Sequence, residues 1–259
     1  MKHTVILFWI LTSLILVLQA CQQKSDNSEK SQAQQIVDMA IQEGGMSVLE
    51  HASASFNFRN RTYTYDRAGS EYTYRRIFKD TVGQTITDIL TNEGLQRLID
   101  DSPAELTEKR RNAYANSVNS VIYFAFLPYF LNDAAVIKNY AGQEIIKGVE
   151  YYKIKVNFQQ EGGGKDFEDV FYYWFQVDNY SMDYLAYEYF DDERDIRFRE
   201  AYNTRVISGV KIQDYHNYKP SKGIKINLAD VANAFEQGAM EWLSDIELEE
   251  ISIQHKPGS

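Results

Sequence analysis

Between Glu150 and Tyr218 the chain alternates polar and apolar positions through five consecutive segments, each ended by turn residues. They are residues 151–158 (YYKIKVNF), 169–177 (DVFYYWFQV), 182–190 (MDYLAYEYF), 196–206 and 210–218. Strand side chains alternate faces with period two, so these segments predict an antiparallel meander rather than helices. In the first, Tyr152, Ile154, Val156 and Phe158 share one face, and Tyr151, Lys153, Lys155 and Asn157 the other. The second is apolar on both faces: Phe171, Tyr173, Phe175 and Val177 on one, Val170, Tyr172 and Trp174 on the other. Both of its faces must therefore be covered or must line a cavity.

The flanks add helices and more strands. Residues 29–43 place Ala33, Ile36, Val37, Ala40 and Ile41 at helical spacing, with Ser28 to cap the start and Gly44-Gly45 to stop it. Residues 48–59, 61–66, 72–79 and 84–90 read as strands with short polar turns, an up-and-down arrangement. Ser102-Pro103-Ala104-Glu105 is a capping box for a helix that runs through Tyr114, Val118, Val121, Ile122 and Ala125 to Leu127-Pro128. Residues 123–131 (YFAFLPYFL) are too short to span a bilayer and predict a plug buried against a sheet. Residues 135–140 return to strand, Gly162-Gly163-Gly164 and Asp191-Asp192-Glu193 sit in hairpin turns, and 225–228, 230–237 and 246–253 read as strand, helix and strand. About eleven strands with two or three inserted helices predict an α+β, mainly β fold. Its expected form is one large curved antiparallel sheet with helices on the concave face, a single domain over 31–259.

The N-terminus changes the picture of where such a domain works. Lys2 precedes an apolar run from Val5 to Leu18, about fifteen residues where a span needs roughly 20. The run closes on Leu18-Gln19-Ala20-Cys21, which resembles the lipobox of bacterial lipoproteins. That resemblance implies cleavage after residue 20, acylation of Cys21, a polar tether over 21–30 and a stable membrane anchor. Gln22 after the cysteine resembles lipoproteins passed on to the outer membrane, with periplasmic face and cell surface both open. Cys21 is the sole cysteine, so no disulfide is available. The chain carries a net charge of −10 and becomes more negative once Lys2 leaves, which excludes nucleic acid as a partner. Tyrosine contributes 19 residues, apolar area with a polar tip that suits partly wet concave surfaces.

Asn119-Ser-Val-Ile-Tyr-Phe124, Leu127-Pro-Tyr-Phe-Leu-Asn-Asp133, Gly162-Gly-Gly164, Tyr184-Leu-Ala-Tyr187, Arg197-Phe-Arg-Glu-Ala-Tyr-Asn203 and Asp214-Tyr-His-Asn-Tyr218 resemble a family of uncharacterised outer-membrane lipoproteins, a domain of unknown function, along nearly the whole mature chain. The resemblance implies a fold like that of the Lol-type lipoprotein carriers, an unclosed barrel that holds acyl chains in an apolar cavity. It implies no catalytic residues.

Candidate chemistry is sparse. His51 and His216 lie far apart, His3 goes with the leader and His255 is near the end, so no spacing supports a metal site, and no cofactor is expected. No Gly-x-Ser-x-Gly elbow is present, and the triple glycine opens neither a helix nor a Lys-Ser/Thr phosphate cradle. The expected cavity lining is Phe124, Tyr129, Phe130, Tyr172, Trp174, Tyr184 and Tyr187. Arg197, Arg199, Asn203 and Arg205 fall on one face of the fourth strand beside Tyr215 and Asn217, which alternate along the next, a basic row fit for a ligand headgroup or for cross-strand pairing with carboxylates. The leading expectation is a membrane-anchored lipoprotein that binds a lipid or other amphiphile. The alternatives are an envelope hydrolase, for which Asp191-Asp192-Glu193 offers carboxylates, and an assembly partner of an envelope complex.

Overall fold

The doubly apolar strand at the centre of the chain is one of fourteen strands in the computed structural model, which describes residues 30–159, 169–190 and 194–256. One seven-stranded sheet is built from β1 (His51–Phe58), β2 (Arg61–Ala68), β3 (Glu71–Lys79), β4 (Thr85–Thr91), β5 (Gly94–Ile99), β6 (Ser102–Pro103) and, beside β1, the last strand β14 (Glu249–His255). The other runs in simple order through β7 (Val136–Ile146), β8 (Val149–Phe158), β9 (Val170–Gln176), β10 (Met182–Phe190), β11 (Arg194–Ile207), β12 (Val210–Pro220) and β13 (Met240–Ile246). Every neighbouring pair is antiparallel, and neither sheet closes on itself.

Residues 246–253, expected as one strand, are split. Glu247 and Leu248 carry the chain from β13 at the edge of one sheet to β14 at the edge of the other. The crossover is held by side chains: Leu248 N–H donates to Asp214 Oδ1 at 3.0 Å, and Arg205 donates to the Leu248 carbonyl at 2.6 Å. Strands β5 and β13 went unanticipated because neither shows a clean alternation. Ser102 and Pro103 pair with β5 instead of opening a helix. The helix α2 (Glu108–Ala125) starts later, with the Thr107 hydroxyl accepting from Arg110 N–H. Residues 225–227 form no strand among the described residues. They lead into a 3₁₀ turn at Leu228–Asp230 and the short helix α3 (Val231–Glu236).

Two cores result. The inner one draws on both sheets, on α1 (Gln32–Glu43) with its five apolar positions, and on the plug residues Phe126, Leu127, Phe130 and Leu131. Phe171, Tyr173 and Phe175 of β9 face it. The outer core lies on the other face of the second sheet, where Tyr172, Trp174, Tyr184 and Phe198 are covered by Leu228, Val231 and Ala232. Helices α1 and α2 thus fill the inner face, while α3 covers the outer one, and β9 is buried on both sides as its composition requires.

At the C-terminal end of α1, Gly45 has φ +64 and a Cβ there would sit 2.0 Å from the Gly209 carbonyl oxygen, so only glycine fits. Gly209 lies in the two-residue Ser208-Gly209 turn between β11 and β12, both with positive φ. Helix α2 is fixed over the first sheet by ions. Asp88 is fully buried, accepts from Arg76 at 2.6 and 2.9 Å and from Arg97 at 2.6 and 2.9 Å. Arg76 then donates to the Ser117 hydroxyl of α2 at 2.6 Å, and the Arg97 guanidinium lies 3.6 Å from the Tyr114 ring centroid.

Removing one partner of a buried ion cluster strands the others. Asp88→Ala is expected to lose about 3–5 kcal/mol of stability. Denaturant unfolding checks this, and a loss within about 0.5 kcal/mol, as for an ordinary surface change, would count against the clamp.

Candidate functional site

A cavity of about 540 Å³ lies where the two sheets part. That is within the range of small-molecule sites. Its roof is the C-terminal half of α2 (Ser120, Val121, Phe124, Ala125). Its floor is the inner face of β10 to β12: Tyr187, Arg197, Arg199, Gln213, Tyr215 and Asn217. Leu243, Ser244 and Ile246 of β13, Leu248 of the crossover, and Phe58 and Arg59 at the end of β1 make the remaining wall. Of the buried inner-core residues only Tyr215 and Leu248 reach the lining, so the space is a side chamber of the core.

Its polar groups are few. Arg199 is 8% exposed. Its guanidinium carbon lies 4.3 Å from the Phe124 ring centroid and 5.1 Å from that of Tyr187, and Nη2 donates to the Tyr187 hydroxyl at 2.8 Å. Its Nε is buried without a hydrogen-bond partner. Asn217, directly across the ladder from Arg199, donates to Ser244 Oγ at 3.4 Å, and its Oδ1 is buried without a partner. Gln213 donates to the Tyr215 hydroxyl at 2.8 Å and to the Met182 carbonyl at 2.6 Å. Burial pushes the Tyr215 phenol up to about 12. It is therefore a neutral hydrogen-bonding group at ordinary pH, not a nucleophile. Arg197 at the margin is paired with Asp195 at 2.6 Å. No Asp, Glu, His or Cys is among the described residues of the lining.

Of the residues expected from sequence, Phe124, Tyr187, Arg197, Arg199 and Tyr215 come together here. Tyr172, Trp174 and Tyr184 do not, because they face the outer core. The Trp174 indole donates to Glu144 at 2.7 Å, and Lys153 Nζ lies 4.8 Å and 5.4 Å from the Tyr172 and Trp174 rings. Phe130 is buried in the inner core against Tyr123, and Tyr129 stacks edge-on against Phe130 with Arg67 over its ring. The basic row is broken by a bulge. Tyr202 pairs with Asp214 but Arg205 with Ile212, one extra residue on β11, with Asn203 at φ +49. One extra residue inverts the faces. Asn203 and Arg205 accordingly grip Asp214, at 2.6 Å and 2.9 Å, and Tyr215 stays with Arg199. Cys21, Gly162–Gly164 and Asp191-Asp192-Glu193 lie outside the described residues. Asn217, which alternates with Tyr215 along the strand, joins the site as well, whereas the β13 wall was missed because that strand shows no clean alternation.

Residues 12–247 match the profile of a family of unknown function, DUF6503. The chain belongs to this family. No curated protein matches the sequence. Among solved structures, the family's fold seen here is similar to a LolA superfamily protein from Nitrosomonas europaea, with 10% identity, 88% of this chain and 96% of that one covered, and a TM-score of 0.51. Looser similarity extends to a putative outer membrane lipoprotein-sorting protein domain from Vibrio parahaemolyticus (7% identity, 86% and 93% covered, TM-score 0.46). A DUF1329 family protein from Desulfovibrio piger is comparable (10% identity, 86% and 93% covered, TM-score 0.42). The first of these matches bears out the unclosed, carrier-like fold that the sequence led us to expect.

Tyr215 gives a pH dependence with a definite sign. Its phenol loses its proton near 10.0 when unfolded and near 12 when folded, so the native state holds more protons between those values. Stability is expected to be intact below pH 10 and to fall as pH rises through that window. Denaturation midpoints measured across it check this, and Tyr215→Phe should remove one share of the fall, because burial raises other phenols such as Tyr65, Tyr74 and Tyr123 in the same direction.

Proposed function

We propose that this protein is a lipid-anchored envelope protein that holds an amphiphile, a molecule with an acyl-type tail, in the chamber between α2 and β10–β13. The observation that carries the reading is the chamber itself: roofed by Val121, Phe124 and Ala125, walled by Leu243, Ile246 and Leu248, with a small set of polar groups on one side. An apolar space with a few convergent polar groups is the usual form of a small-molecule site. The carrier-like fold agrees with it. An envelope hydrolase would need an acid–base pair, and the described lining supplies arginines, phenols, amides and hydroxyls instead. An assembly partner would draw on the 59% exposed Trp242 of β13, whose indole is however engaged with Asp245 at 3.0 Å.

The test is an organic extract of the purified protein, read by mass spectrometry. A tailed amphiphile should be recovered in near-stoichiometric amount, and Ala125→Trp, which fills the chamber, should lose it while circular dichroism stays native. Ser120→Phe serves the same purpose from the next turn of the helix. An empty wild type that also takes up no fluorescent fatty acid would sink the reading.

The anchor is tested apart from the ligand. An alkyne-tagged fatty acid fed to cells should label the wild type and leave Cys21→Ser unlabelled and released from the membrane fraction. Equal labelling of both would remove Cys21 as the acylated residue.

A further inference from the structure

The chamber contains a cation, Arg199, for which the described residues supply no counter-ion. Elsewhere four buried or half-buried arginines meet carboxylates: Arg76 and Arg97 with Asp88 at 2.6 Å each, Arg197 with Asp195 at 2.6 Å, Arg205 with Asp214 at 2.9 Å. Arg199 is as buried as these, yet among the described residues no carboxylate lies within ion-pair distance of it, and its Nε has no acceptor at all. Its neighbours are two aromatic rings and one phenol hydroxyl. A cation over a desolvated ring is stabilised by less than the cost of burying an ion, so the rings and the phenol do not complete the site. What they do is position the guanidinium: it lies between Phe124 and Tyr187, Tyr187 takes one N–H, and the buried Nε is left without an acceptor. An arginine fork held in this way is suited to an oxyanion and to little else.

We propose that the amphiphile carries a single oxyanion, a carboxylate or a phosphate monoester, and that Arg199 binds it inside the chamber as the missing counter-ion. This rests on the chamber being the amphiphile site. Asn217 stands opposite Arg199 in the ladder with its own buried Oδ1 unpaired. It accepts the O–H that a phosphate monoester monoanion keeps and a carboxylate lacks. The global charge of −10 sharpens the choice, because the surrounding field repels anions and only a specific contact draws one in. An uncharged lipid would leave the guanidinium buried and unpaired, at the same cost as the empty site.

The experiment uses the full lipidated chain in nanodiscs, with empty nanodiscs as background. Decanoate, decyl phosphate and decanol are titrated against wild type, Arg199→Gln, Arg199→Lys and Asn217→Leu. The expected result is that wild type prefers both anions to decanol and that Arg199→Gln weakens the anions roughly tenfold to a hundredfold. Decanol should be unchanged, and Arg199→Lys should fall between because it keeps the charge and loses the fork. A selective loss of decyl phosphate in Asn217→Leu assigns the phosphate, and equal losses or none assign the carboxylate. If Arg199→Gln does not fold, the wild-type preference for acid over alcohol decides alone. Equal binding of acid and alcohol by wild type overturns the anion assignment and leaves the amphiphile reading standing. Binding of none of the three overturns both.

Discussion

Asp88 is where this structure is fastened. A carboxylate with no solvent exposure is tolerable only if its charge is met, and Arg76 and Arg97 meet it from β3 and β5. Those two arginines also reach the helix above, one to the Ser117 hydroxyl and one to the Tyr114 ring. The N-terminal half of α2 is thereby set on the first sheet, and the plug that follows the helix sets its far end in the inner core. Between those two anchor points the helix buries Val118 and Ile122 in the inner core and turns Val121, Phe124 and Ala125 toward the chamber. The chamber opens along one flank of α2 while another flank is seated in the core.

The second sheet explains why the chamber has the walls it has. Its inner face is filled by α1, the plug and the first sheet up to about the level of Phe171 and Tyr173, and Phe124 touches both β9 and β10 through Phe171 and Tyr187. Beyond that point the inner side chains become mixed: Arg199, Tyr215, Asn217 and Gln213 replace the aromatic run. The outer face needs no ligand to be satisfied. Trp174, Tyr184 and Phe198 are sealed by the 3₁₀ turn and α3, and Lys153 there is matched by Glu144 at 2.6 Å and the Ala229 carbonyl at 2.5 Å. Polar burial is completed on one face and left incomplete on the other.

Much of this was legible in the chain. The five central strands stand where alternation put them, because each has a consistent buried face and a turn at each end. The both-sided burial of β9 was legible for the same reason. Which side of β9 would meet a cavity was not, since periodicity separates the faces without naming them, and Trp174 went to the outer core. The arginine row failed at Asn203, where a left-handed backbone inserts one residue that no pattern in RDIRFREAYNTRVI marks. Ser102 had a capping sequence but a better offer from the edge of β5. The run IELEEISI hid a crossover because its alternation continues through Glu247 and Leu248, although Ile246 ends a strand of one sheet and Glu249 opens a strand of the other. Local signals located the elements, and side chains distant in sequence, Asp214 and Arg205 on Leu248, decided where the chain changed sheet.

That change of sheet leaves a mechanical signature. Strands β13 and β14 end their sheets side by side in sequence without a ladder between them among the described residues, and the chamber wall contains the very residues, Ile246 and Leu248, that bracket the gap. The width of the gap is set by a clasp of three side chains, Asp214, Arg205 and Tyr202, the last donating to Glu247 at 2.8 Å. A barrel of uninterrupted hydrogen bonds would have a fixed bore. Here the line between the two sheets is closed by side chains while every ladder stays intact, so the rim of the chamber is defined by a few polar contacts and not by the hydrogen-bonded frame of its sheets.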